Sequence, residues 1–214
     1  MASGRASSTF TAGTDQVKDA TSTNIDPSGD PLTGAVWVYF TAPSANRCYI
    51  GQTGTGTGRD WVQTSTTNTI RSRLGGTTTV GSTTLSGSTW YFLAATFPGG
   101  TDTLTLYVDA VSDGSGSITG ESVTSNTLIV GDNGVNADTT QHACASFYKQ
   151  VLSAAELQEI MYNPFSIPSF SYFPDLLENG NYRDLSPDQN GNSTVTGTVN
   201  ASANGPPIFL LGGQ

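Results

Sequence analysis

The chain has 214 residues, of which 12% are charged, and a formal net charge of −9. Such a surface repels phosphate backbones and anionic bilayers, which argues against nucleic-acid and membrane partners, and no apolar run reaches the roughly 20 residues that span a bilayer. The 25 glycines, spread through a sequence dominated by Gly, Ser and Thr at its polar positions, read as many short strands joined by turns.

Residues 1–9 are small and polar and read as a loose arm. From Phe10 the pattern turns strand-like. LTGAVWVYFTA (32–42) is apolar on both faces from Ala35 to Phe40, as expected of a strand covered on both sides. RCYIGQ (47–52), GTGTGRDWVQ (54–63) and TIRSRLGG (69–76) continue as short strands separated by Gly-Thr turns. In WYFLAATFPGGTDTLTLYVDA (90–110), two apolar runs flank Pro98-Gly99-Gly100, and the two glycines allow the positive φ of a tight connection. Leu104, Leu106 and Val108 then share one face, with Thr103, Thr105 and Tyr107 on the other. NTLIVGDN (126–133) and HACASFYKQ (142–150) supply two more strands.

One helix is predicted after Leu152. Ser153 with Glu156 three residues on forms a capping box, Leu157, Ile160 and Met161 follow helical spacing, and Asn163-Pro164 ends the run. Beyond it, residues 165–214 hold five of the ten prolines and read as an extension that wraps the body, forms a small β appendage or docks on a neighbouring subunit. Its apolar Ile208, Phe209, Leu210 and Leu211 call for cover of some kind. Cys48 and Cys144, each on an expected strand, read as buried thiols, because nothing announces an oxidising compartment. MASGRASSTF lacks the apolar core of a secretory signal, so synthesis in a cytoplasm is expected and the acceptor patterns at Asn192 and Asn200 read as chance matches.

Four of these segments, in this order, resemble the laminin-G-like, concanavalin A-like jelly rolls. LTGAVWVYF is similar to the early core strand with its inward Trp, and WYFLAATFPGGTDTLTLYVDA to the signature hairpin. In the hairpin Trp90, Ala94, Leu104, Leu106, Tyr107, Val108 and Asp109 match, and Ala110 replaces the usual Gly. LIVGDN resembles the strand before the close, and VLSAAELQEIMYNP (151–164) the closing strand end and short helix. The resemblance covers about residues 8–164. It implies an all-β fold: a two-sheet antiparallel jelly-roll sandwich with one short helix and an extended C-terminal tail. The chain then divides into an arm (1–9), the jelly roll (10–164) and a Pro-rich extension (165–214). By the same resemblance Trp37 and Trp90 are core residues.

The acids do not suit glycan hydrolysis, which needs two carboxylates facing one sugar. Of four glutamates, Glu156 and Glu159 belong to the helix, Glu121 to a loop and Glu178 to the tail, and no strand carries acids at alternating positions. The lone His142 lies on a strand without a nucleophile motif and reads as a packed or rim residue. One histidine and two scattered cysteines make a poor zinc set. The resemblance does imply a candidate calcium site at the sandwich rim, at Asp132 with Asp138 and then Asp102 behind it, although Asp-Asn-Gly is equally a turn signal. Sugar binding needs an exposed aromatic beside convergent polar groups. Arg59, Asp60 and Trp61 are the glycan candidates, Trp61 being the tryptophan without a core assignment; its alternative is an inward strand residue.

Two non-enzymatic functions follow. One is a virion structural protein, as in bacteriophage: a capsid decoration, fibre or tail-associated subunit, made in the host cytoplasm, homo-oligomeric and in contact with capsid or tail proteins. Laminin-G-like domains with this closing segment are, by resemblance, frequent in such particles. The alternative is a free carbohydrate-binding or adhesion module that recognises cell-surface glycans.

Overall fold

The computed structural model describes residues 7–10, 15–18, 25–41, 47–52, 59–120, 127–131, 140–167, 169–172, 185, 193–197, 199–202 and 205–206. In chain order the strands are β1 (Ser7–Phe10), β2 (Gln16–Lys18), β3 (Leu32–Phe40), β4 (Cys48–Gln52), β5 (Arg59–Thr64), β6 (Thr69–Leu74), β7 (Thr77–Thr84) and β8 (Thr89–Phe97). There follow β9 (Thr101–Val108), β10 (Val111–Thr119), β11 (Leu128–Gly131), β12 (Thr140–Tyr148), the helix α1 (Ala154–Tyr162), β13 (Phe170–Tyr172), β14 (Thr194–Thr196) and β15 (Val199–Ser202).

The strands form two antiparallel sheets packed face to face, the jelly-roll sandwich expected from the sequence. An eight-stranded sheet runs β10-β9-β8-β3-β12-β1-β15, with β13 on the far end of β12; a seven-stranded sheet runs β14-β2-β11-β4-β5-β6-β7. Their inner faces meet in one core that includes Val36, Val38, Phe40, Ile50, Trp61, Ile70, Leu93, Leu104, Leu106 and Phe147. β3 is buried on both sides for two reasons. Its inward residues Val36, Val38 and Phe40 fill that core, while Ala35 and Trp37 face a second apolar layer formed with α1.

The helix forms as its sequence dictates. Ser153 accepts from the Glu156 N–H, and the Glu156 carboxylate accepts from the Ser153 N–H, completing the capping box. Leu157, Ile160 and Met161 are buried against Ala35, Ala94 and Ala143, whose small side chains let the helix lie close to the eight-stranded sheet. The Trp37 indole N–H donates to the Met161 carbonyl at 3.0 Å, satisfying an end-of-helix acceptor that has no intrahelical partner.

Both ends of the sandwich are closed by specific contacts. At one, the Asp113 carboxylate of β10 accepts from the backbone N–H and hydroxyl of both Ser82 and Thr83 on β7, joining the edge strands of the two sheets. At the other, the buried Asp15 sits between Gly131 and Gly197. A Cβ on Gly131 would come within 2.3 Å of the Asp15 carbonyl oxygen, and one on Gly197 within 1.9 Å of its carboxylate, so neither site accepts a side chain.

The hairpin of β8 and β9 turns at Gly99 and Gly100, both with positive φ, as its sequence required. Asp109 ends β9 as expected and, with Ala110, makes a two-residue turn of positive φ; its N–H donates to the Phe92 carbonyl at 2.8 Å, and its carboxylate accepts from the Phe92 N–H at 2.9 Å. Cys48 and Cys144 are buried thiols in different sheets, with no disulfide between them.

Two boundaries differ from the sequence reading. Ser7–Phe10, in part assigned to the loose arm, is a strand paired with both β12 and β15, and Ser7 and Ser8 are fully buried. The extension also supplies strands: β13 and β15 join the eight-stranded sheet, and β14 joins the seven-stranded one. Their partners lie more than 100 residues away in some cases, a relation that local patterning does not display. The Ile208–Leu211 segment lies outside the described residues.

His142 is a core residue. Its ring stacks on Phe10 at 4.4 Å and meets the Tyr49 ring edge-on at 5.5 Å, and neither ring nitrogen has a hydrogen-bond partner. Burial disfavours the charged form and lowers its pKa from 6.5 to about 3. The neutral ring therefore contributes stability that is fully present above pH 6.5 and lost as pH falls from 6.5 toward 3, because only the unfolded chain takes up the proton in that window. Between pH 7 and 4.5 the wild type is expected to lose roughly 2 to 3 kcal/mol more than His142→Phe, which keeps the aromatic slot filled. Urea midpoints at the two pH values check this; parallel losses in the two proteins would refute it.

Candidate functional site

The glycan candidates named from sequence are separated by a bulge in β5. Asp60 pairs with Gly51 and Arg73, and Gln63 pairs with Cys48 and Arg71, with the register slipping between them. The slip turns both Trp61 and Val62 into the core. Trp61 is 0% exposed, meets Phe147 edge-on at 5.3 Å, and donates its indole N–H to the Gln52 side-chain oxygen at 3.3 Å. It therefore does not form a stacking platform, and its inward alternative holds. Arg59 pairs with Leu74 across β5 and β6. Asp132 and Asp138, the calcium candidates, lie outside the described residues. Asp102 is exposed and accepts from the Thr103 N–H at 2.6 Å. Among the described residues no three His, Cys, Asp or Glu side chains converge.

An aromatic platform does exist, on the opposite sheet. Where α1 ends, the outer face of the eight-stranded sheet continues into a row set by strand register: Trp90 on β8, Tyr39 on β3, Gln141 on β12, Thr9 on β1 and Asn200 on β15. Tyr39 and Trp90 lie 5.6 Å apart with their rings tilted by 47°. Trp90, Tyr39, Gln141 and Thr9 are partly exposed and Asn200 is exposed. The Trp90 indole N–H is buried and has no partner. Beside them the Gln141 side-chain oxygen accepts from the hydroxyls of Ser7 and Ser202, each at 3.4 Å. Four strand intervals separate Trp90 from Asn200, about 19 Å at the usual spacing of about 4.8 Å. This strip presents ring faces at one end and amides and hydroxyls at the other.

Trp90 was assigned to the core by resemblance, and the structure only half agrees: it packs against the layer beneath α1 but keeps one side toward solvent. Its alternation with Phe92 and Ala94 places it on the outer face, which the sequence does display. Its partnership with Tyr39 depends on the β3–β8 register, which the sequence does not.

A second polar group occupies the outer face of the seven-stranded sheet. Asp60, Gln63, Arg71 and Arg73 face outward there, and Arg71 Nη2 donates to the Gln63 side-chain oxygen at 2.8 Å. Burial pushes the Arg71 guanidinium below its ordinary pKa, with Asp60 opposing that shift and Arg73 adding to it. Asp60 is the one acid on the seven strands of this sheet. A hydrolytic pair of strand-borne carboxylates is thus missing from this face among the described residues.

The environments of Trp61 and Trp90 separate in their effect on stability. Trp61→Ala is expected to cost about 3 to 5 kcal/mol and Trp90→Ala no more than about 2, since only the first empties a closed core. Urea denaturation of the two variants checks the order; a larger loss for Trp90→Ala would overturn the assignment.

Comparison with known proteins gives the family and the fold. Residues 11–158 match the model of the concanavalin A-like lectin/glucanases superfamily. No curated protein sequence matches the chain. Among solved structures it is similar to a candidate carbohydrate binding protein from Bacteroides ovatus, with a TM-score of 0.71 at 12% identity over 96% of this chain. The chain spans 62% of that protein's length. It is similar also to the heptameric SAP-like pentraxin of Limulus polyphemus, with a TM-score of 0.63 at 9% identity, covering 94% of this chain and 96% of that one. The binding domain of Paraclostridial Mosquitocidal Protein 1 follows, with a TM-score of 0.51 at 12% identity over 74% of this chain and 48% of that one. At these identities the likeness is one of fold.

Proposed function

Because the chain belongs to the concanavalin A-like lectin/glucanases superfamily, we propose that it is a non-catalytic carbohydrate-binding module whose binding surface is the strip from Trp90 to Asn200. The observation that carries this reading is the partly exposed Tyr39–Trp90 pair continuing, in register, into Gln141, Thr9 and Asn200. A pyranose presents an apolar C–H face and a rim of hydroxyls. The rings take the first, and the amides and hydroxyls take the second. A strip of this length suits a short oligosaccharide better than a single sugar. The candidate carbohydrate-binding protein similar in fold supports the reading.

Carriage on a virion, as capsid decoration, fibre or tail-associated subunit, is a second reading compatible with adhesion to cell-surface glycans. Its support is the apolar Ile208–Leu211 segment, which suits a subunit contact. A truncation after Pro164 is a poor test, because it also removes β13, β14 and β15 from both sheets. Polar substitution of Phe209 and Leu210 in the full chain is the cleaner one. Light scattering is expected to show a homo-oligomer that these substitutions dissociate; a monomeric wild type counts against the virion reading.

On immobilised glycans the full chain is expected to bind a subset of oligosaccharides, with Trp90→Ala and Tyr39→Ala each weakening binding at least about tenfold while far-UV circular dichroism stays unchanged. Undiminished binding in both variants would remove the strip from consideration.

A further inference from the structure

The outer face of the seven-stranded sheet holds two hydrogen-bond donors that nothing in the fold satisfies. Gln63 is 1% exposed, yet its Nε2 has no partner, and neither has Arg71 Nε. The two side chains are locked together, because Arg71 Nη2 donates to Gln63 Oε1 at 2.8 Å. That bond also fixes the amide: turning it over would face its NH2 group against the guanidinium. Nε and Nη2 lie on one edge of a guanidinium, so the unpartnered Nε–H sits beside the occupied Nη2–H. Leaving buried donors unpaired costs stability, and both orphans here are donors rather than acceptors. Arg73 stands two residues along on the same face, opposite Asp60. Among the described residues, two arginines against one aspartate leave a local positive excess on a chain of net charge −9.

We propose that Gln63, Arg71 and Arg73 form a binding site for an oxyanion, a carboxylate or sulfate group, on the face opposite the aromatic strip. Both donor atoms are closed to solvent in the anion-free fold, so the anion's oxygens reach Arg71 Nε–H and Gln63 Nε2–H through a local shift of the side chains around them, and Arg73 supplies the second cation. Asp60 opposes the charge of the pair and sets a limit on affinity. The bound group belongs either to an acidic saccharide or to a free inorganic anion; both present the same acceptor chemistry. The site does not depend on the aromatic strip, and inorganic sulfate alone reads it.

The test uses the full chain with inorganic sulfate in one arm and, in the other, one oligosaccharide with and without a single sulfate. At constant ionic strength, sulfate at a few-fold excess over Kd is expected to raise the wild-type Tm by about 2 to 4 °C relative to chloride. The same addition leaves Arg71→Gln and Arg73→Gln unmoved. A rise shared by all three proteins is the general exclusion of sulfate from protein surfaces and overturns the proposal, as does no rise in the wild type. In the second arm, tighter binding of the sulfated sugar by at least about tenfold, lost in Arg73→Gln and kept in Trp90→Ala, assigns the anion to a saccharide. A sulfate response without that preference assigns it to a free anion. Should Arg71→Gln fail to fold, Arg71→Lys serves in its place: it keeps the charge but loses the fork, and an unchanged sulfate response in it would overturn the role given to Nε.

Discussion

The packing of Trp61 against Gly34 governs how the two sheets meet. An indole standing on one sheet needs a vacancy on the other, since inner faces lie only about 10 Å apart. Gly34 on β3 provides it: a Cβ there would come within 2.8 Å of both Trp61 Cε3 and Ile50 Cδ1. Phe147 closes the same space from β12. The bulge in β5 that turns Trp61 inward also decides what faces outward. On either side of it Asp60 and Gln63 point away from the core, and each finds an arginine of β6 across the register. One steric requirement in the interior thereby assembles the polar group on the surface.

The other sheet shows the complementary logic. Alanines at 35, 94 and 143 make a shallow bed in which α1 lies, and the bed ends where side chains become large at Trp37 and Phe92. Trp37 is needed there to cap the helix end through the Met161 carbonyl. The next row outward, Tyr39 and Trp90, lies past the helix and keeps part of its ring surface exposed. A short helix thus leaves an aromatic step uncovered.

Much of the scaffold was legible in the sequence because its signals are local. The β8–β9 hairpin carries its turn residues and its alternation within about twenty positions, and α1 carries its capping box and apolar spacing within ten. Where the reading failed, the governing contact was distant or the alternation was broken. Trp61 looked unassigned because one extra residue in β5 shifts the period that would have marked it as inward. Ser7–Phe10 and the strands after residue 165 are three or four residues long, too short to show a period. They are strands because β12, β1 and β2 offer them free edges. The candidate strip was less legible than the fold for the same reason: its members come from five strands whose register only the assembled sheet fixes.

The pairing of β1 with β15 has a consequence for how the chain reaches this state. Val199–Ser202 is synthesised some 190 positions after its partner Ser7–Phe10. Until then β1 and β2 keep backbone donors and acceptors open along one side. Contacts of such long span close slowly, because the loop entropy must be overcome before any bond forms. The nascent sandwich therefore carries an unsealed seam until β15 emerges, and it is at this seam, rather than at the Asp113 clasp, that two unfinished chains would exchange strands.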